Sequence, residues 1–98
     1  AQELEQAGCF AIVLECVPSA LAQSITETLD IPTIGIGAGP HTSGQVLVLH
    51  DLLGLQNKMH PKFLKQYMSG FDLVRKALES YDADVKQSLF PLVEHEYE

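Results

Sequence analysis

Basic side chains are scarce: six Lys and Arg stand against thirteen Asp and Glu, a formal net charge of −7 over 98 residues. That balance speaks against nucleic acid or an anionic membrane as partner, because both reward a basic surface. Long apolar runs are missing too, and none approaches the roughly 20 residues a bilayer crossing needs. The opening AQELEQAG is polar and acidic, unlike a secretory leader, so a cytoplasmic setting is expected. Only two cysteines occur, Cys9 and Cys16, flanking one apolar run. An extended chain would hold their Cα atoms about 23 Å apart, too far for a disulfide. Reduced, buried thiols are expected, with a catalytic thiol at Cys16 as the alternative. His41, His50, His60 and His95 lack an H-x-x-x-H spacing, so no zinc site is expected. No G-x-S-x-G elbow is present, which leaves nucleophilic acyl transfer without support.

With 46% apolar and 19% charged residues, the chain has the composition of a folded domain. Its most informative stretch is Phe10 to Gly39. Phe10 to Leu14 is an apolar run suited to a strand buried on both faces, and it ends in a carboxylate, Glu15. Ser19 to Leu29 reads as a helix with Leu21, Ile25 and Leu29 on one face. Asp30 and Pro32 stop it, and Thr33 to Ile36 begins a second strand that runs into Gly37-Ala38-Gly39. Strand, helix and strand with short joins predict a parallel βαβ unit. In such folds chemistry gathers at the C-terminal ends of strands, where Glu15 and the glycines fall.

Around this unit the chain reads as follows. Ala1 to Ala7 is a helix end with Leu4 and Ala7 inward and Gly8 as its stop. Gln45 to Leu49 predicts a third strand ending at His50-Asp51, parallel despite an abbreviated crossover. Leu52 to Pro61 is a loop, and Lys62 to Met68 a short helix carrying Phe63, Leu64 and Tyr67. Asp72 is expected to cap an amphipathic helix whose apolar face is Leu73, Val74, Ala77, Leu78, Tyr81 and Val85. Such a face covers a sheet or serves an oligomer contact. Phe90-Pro91 ends that helix, and Leu92 to Glu98 is an extended tail. The uncapped helical start and the open sheet edges predict a piece of a larger α/β fold.

Three readings of Glu15 stay open on pattern alone: a salt-bridged structural carboxylate, a metal ligand and a general base. An apolar setting between Leu14 and Val17 would suit proton abstraction near neutral pH. Gly35, Gly37 and Gly39 lack the G-x-G-x-x-G spacing, since Pro40 breaks it. They are expected to shape a binding cavity, with eased packing as the alternative. His50 falls on the same expected rim and reads either as a satisfied structural histidine or as a site residue.

Taken together, Val13-Leu14-Glu15-Cys16-Val17-Pro18, Ile34 to Gly39, Gly44 to Val48 with His50-Asp51, and Pro61-Lys62-Phe63 resemble the ketopantoate hydroxymethyltransferase family. The resemblance runs over most of the chain, in order and at the right spacing, and covers that family's C-terminal third. It implies a (β/α)₈ TIM barrel of the phosphoenolpyruvate/pyruvate type, with residues 1–98 supplying about the last three strands and the terminal helices. A whole barrel takes roughly 250 residues. It implies transfer of a hydroxymethyl group from 5,10-methylenetetrahydrofolate to 3-methyl-2-oxobutanoate, giving 2-dehydropantoate for pantothenate synthesis. It implies Mg²⁺ bound by the keto acid, with the metal's acidic ligands and the substrate's serine and lysine outside this segment. A homo-oligomer is implied as well. The family's proton acceptor carries onto Glu15, and the chain alone is expected to be inactive. Rival expectations are another 2-oxo-acid barrel enzyme and a small α/β interaction module.

Overall fold

The structure, a computed structural model, describes residues 1–58 and 60–98. Its centre is the predicted βαβ unit: β1 (Ile12–Glu15), α2 (Ser19–Thr28) and β2 (Thr33–Ile36), preceded by α1 (Gln2–Gln6). β1 and β2 pair in parallel, with Ile12 opposite Thr33 and Glu15 opposite Ile36. The expected strand start at Phe10 moves to Ile12, and Phe10 is 89% exposed. β1 is also buried on one face only: Ile12 and Leu14 face inward, Val13 and Glu15 outward. The reason is that a single helix covers the sheet. Ile12 and Leu14 form the core with Ala22, Leu29 and Ala38, and Val17, Ile25 and Ile31 pack around it. Leu21, expected inward, is 53% exposed, and Ala22 takes its place at the helix–sheet contact. Alanine there lets the helix backbone approach the strands closely.

α1 stops at Gly8, whose φ of +99° only glycine adopts without strain. Leu4 and Ala7 are exposed, contrary to expectation. What ties α1 down is Glu5, whose Oε1 accepts the backbone N–H groups of Asp30 (2.6 Å) and Ile31 (3.0 Å). A carboxylate thus meets two donors at the turn between α2 and β2.

The third strand is parallel to β2 as expected, but it is short: β3 covers only Gly44–Gln45. Thr33 N donates to Ser43 Oγ (3.1 Å) and Ser43 N donates to Thr33 Oγ1 (3.2 Å). This reciprocal pair returns the chain to the start of β2, so no crossover helix is required. Val46 N still reaches Gly35 O at 3.0 Å, and pairing ends there. Leu49–Leu52 then forms α3 instead of strand, which places His50 and Asp51 on a helical turn.

The short helix expected over 62–68 does not form. Leu64 N bonds Pro61 O in a turn, and Tyr67 N goes to Leu52 O (2.8 Å) rather than to a carbonyl four residues back. That long-range bond holds the segment against α3. The expected loop 52–61 begins after Leu52 and includes Met59, which lies outside the described residues.

α4 (Gly70–Lys86) is the long amphipathic helix, yet it starts two residues before Asp72 and has Ser69 at its N-cap position. Asp72 sits within the first turn, 3.5 Å from Arg75, rather than capping. Bonds from Gly70 N to Leu53 O and from Phe71 N to Gly54 O, both 2.8 Å, fix the helix start beside α3. α4 therefore does not cover the sheet, and Leu73, Val74, Leu78, Tyr81 and Val85 are exposed. The molecule is elongated accordingly, 65 × 32 × 15 Å. α4 ends before Phe90-Pro91, and the tail is not fully extended: Val93–His95 forms a 3-10 turn, with the Phe90 ring 5.0 Å from the His95 ring and tilted by 57° to it.

Candidate functional site

Glu15 is the last residue of β1, and the ladder continues one bond further through Cys16 N to Ile36 O, 2.9 Å. Cys16 has φ +53°, a left-handed conformation that costs a non-glycine residue about 1–2 kcal/mol. This kink swings the chain from the strand into Val17-Pro18 and the start of α2. Glu15 itself points to the uncovered sheet face, beside Val13 and opposite Ile36. Its side chain is exposed, so the apolar enclosure expected from its neighbours is absent in this chain. Among the described residues no ion pair is made by Glu15. No group of three or more His, Cys, Asp or Glu side chains among them gathers as a metal site.

An open cleft of about 800 Å³ lies at the C-terminal ends of β1 and β2. It is lined by Cys16 to Ser19, by Gly37, Gly39 and Pro40, and by Gln45, Lys62 and Phe63. Glu15 precedes the first wall residue but does not itself line the cleft. A smaller hollow of about 380 Å³ adjoins it, lined by Ile36, Leu47, Leu52, Phe63 and Tyr67 among others. Ile36, the neighbour of Glu15 across the sheet, lines this second hollow, whereas Glu15 lines neither.

The three expected glycines divide. Gly37 and Gly39 line the cleft; Gly35 does not, and its bare Cα accommodates Thr42, whose Oγ1 would lie 2.7 Å from an added β-carbon. Gly39 (φ +78°) lets Ser19 approach its backbone. Gln45 Nε2 donates to Gly39 O (2.8 Å) and Thr42 Oγ1 (3.0 Å), bracing this loop. His50 is exposed on α3 and lines neither hollow. Both cysteines are free, as expected, but exposed rather than buried, and Cys16 faces the cleft. Ser19, Gln45, Lys62 and Phe63 converge here; Gln45 and Lys62-Phe63 belong to stretches that stood out in the sequence, Gly44 to Val48 and Pro61-Lys62-Phe63, whereas Ser19 read only as the start of a helix.

A parallel βαβ unit with a carboxylate at one strand end and a cleft across both strand ends defines an α/β protein whose candidate site lies where such folds gather their chemistry. The family model described as ketopantoate hydroxymethyltransferase matches residues 1–93, and the chain belongs to that family. It is 60% identical over 94 residues to 3-methyl-2-oxobutanoate hydroxymethyltransferase of Coxiella burnetii (strain RSA 493 / Nine Mile phase I), covering 96% of this chain and 35% of that protein. It is 59% identical over 97 residues to the protein of the same name from Legionella pneumophila (strain Corby), covering 99% of this chain and 37% of the relative. The chain thus spans little more than a third of the length of the curated relatives it matches.

Proposed function

We propose that residues 1–98 form the C-terminal part of a (β/α)₈ barrel that acts as a 3-methyl-2-oxobutanoate hydroxymethyltransferase in pantothenate synthesis. Glu15 is its general base. The observation that carries this reading is an exposed carboxylate without an ion-pair partner among the described residues, set at the end of β1 beside a cleft. A carboxylate so placed accepts a proton without first breaking a salt bridge. Water releases the one-carbon unit of 5,10-methylenetetrahydrofolate as formaldehyde, breaking both of its C–N bonds and leaving tetrahydrofolate. Glu15 takes the proton from C3 of the oxo acid, and the carbanion adds to the formaldehyde carbon. The alkoxide so formed takes up a proton to give the hydroxymethyl group. The described residues do not fit a Mg²⁺ site, so ligands for that ion are assigned outside this sequence and no step here runs through it.

The enzyme is expected in the cytoplasm as a homo-oligomer; among the described residues no helix is long and apolar enough to cross a membrane. The uncovered face of α4 supports a larger assembly, and the 98 residues alone are expected to be inactive. The test is deuterium exchange at C3 of 3-methyl-2-oxobutanoate by the full-length protein. Glu15→Gln should slow it by about 10²-fold or more. Exchange at the wild-type rate would remove Glu15 from the mechanism. Product formation that requires the folate separates this activity from another 2-oxo-acid enzyme.

A further inference from the structure

Phe63 lies directly on Gly37. An added β-carbon there would come 2.9 Å from Phe63 Cδ1 and 3.0 Å from Cγ, so only a bare Cα admits the ring. Gly37 is also held at φ +65°, which favours glycine independently. Phe63 remains 40% exposed and forms part of the wall of both hollows, so it partitions the rim. Lys62, next in the chain, lines the larger cleft and is the one cation among its described lining residues. Gln45, which also lines the cleft, commits its amide N–H groups to Gly39 O and Thr42 Oγ1, so Oε1 is its remaining hydrogen-bonding atom, an acceptor.

An aromatic ring, an adjacent ammonium and an amide oxygen suit a flat ring system that carries hydrogen-bond donors and a carboxylate. We propose that Phe63 and Lys62 form a subsite for a flat heteroaromatic carboxylate, with Phe63 stacking on its ring and Lys62 pairing with its carboxylate. This rests on the reading above, under which that ligand is the one-carbon donor and Glu15 acts on the small oxo acid.

The test measures dissociation constants of tetrahydrofolate and of 3-methyl-2-oxobutanoate for the full-length protein. Phe63→Leu should weaken tetrahydrofolate binding about fivefold, and Phe63→Tyr should restore it. Lys62→Gln, at an exposed position where folding is not at stake, should weaken it about threefold and flatten its salt dependence. Oxo-acid binding should be unchanged by either variant. Tetrahydrofolate should also slow alkylation of Cys16, mapped by peptide mass spectrometry, since that thiol faces the same cleft. Unchanged tetrahydrofolate binding in both Phe63→Leu and Lys62→Gln would overturn the subsite while leaving the enzyme reading intact. Equal losses for both ligands would also overturn it. A wild-type protein that binds no tetrahydrofolate would take the proposed function down with it.

Discussion

The hydroxyls of Thr26 and Thr33 lie 2.7 Å apart and join the covering helix to the central strand. Their proton order follows from the partners. Thr26 Oγ1 donates to Ala22 O at 2.8 Å, so its single proton is committed and Thr33 must donate to Thr26. Thr33 Oγ1 accepts in turn from Ser43 N, so one relay links α2, β2 and the return to β3. Thr33 is fully buried, which makes an unmet partner costly. Thr33→Val keeps the shape but strands the Ser43 N–H and removes the donor to Thr26. A loss of about 1–3 kcal/mol is expected, read as a lower urea midpoint at unchanged slope. Thr33→Ser retains the relay and should cost less.

A second prediction concerns Gly39. Its φ of +78° disfavours any side chain, and an added β-carbon would fall within 2.6 Å of Ser19 Cβ. The left-handed conformation alone costs about 1–2 kcal/mol for alanine, and the displacement of Ser19 at the first residue of α2 adds to it. Gly39→Ala should therefore destabilise by more than about 2 kcal/mol. Combining it with Ser19→Gly should recover part of the loss, because the second change removes the colliding Cβ. Equal unfolding midpoints for Gly39→Ala and wild type would show that the loop moves freely away from α2.

The parts of this fold that were legible in the sequence are those decided locally. Strand, helix and strand over 10–36 follow from apolar periodicity and from Asp30 and Pro32, and the ends shift by only a residue or two. Val46 to Leu49 misled because β propensity describes fitness for a half-buried pleated surface, and β3 finds such a surface only as far as Gln45. Helical spacing over 62–68 lost to a hydrogen bond from Tyr67 to Leu52, which no local pattern announces. The same holds for the site. Glu15 is visible as a charge ending an apolar run. The meeting of Ser19, Gln45, Lys62 and Phe63 depends on three separate turns, and the left-handed Cys16 carries no sequence signal at all.

Glu5 supplies a third prediction. One carboxylate oxygen accepts two backbone N–H groups, from Asp30 and Ile31, and this is the tie between α1 and the βαβ unit. Leu4 and Ala7 add little, being exposed. Glu5→Ala should cost about 1–2 kcal/mol, while Glu5→Gln keeps an acceptor oxygen and should cost less than half as much. Amide hydrogen exchange is the direct readout. The Asp30 and Ile31 amides should exchange faster in Glu5→Ala, with the β1 and β2 amides slowed much as before. Uniform acceleration across both strands would instead mean that α1 stabilises the whole sheet.

Glu15 closes the set because its structural and chemical roles predict opposite results. The side chain is exposed, makes no ion pair among the described residues and stands outside the core of Ile12, Leu14, Ala22, Leu29 and Ala38. Replacing it by Gln, a near-isostere, should change unfolding free energy by less than about 0.5 kcal/mol. A structural carboxylate holding the end of β1 would behave differently, since removing its charge would expose or strand its partner. Urea unfolding of Glu15→Gln beside wild type separates the two. An unchanged midpoint together with lost exchange at C3 of the oxo acid assigns the residue to chemistry. An unfolding free energy that falls by about 1 kcal/mol or more, on the order of a lost buried hydrogen bond, assigns it to the fold, and the exchange result then follows from instability.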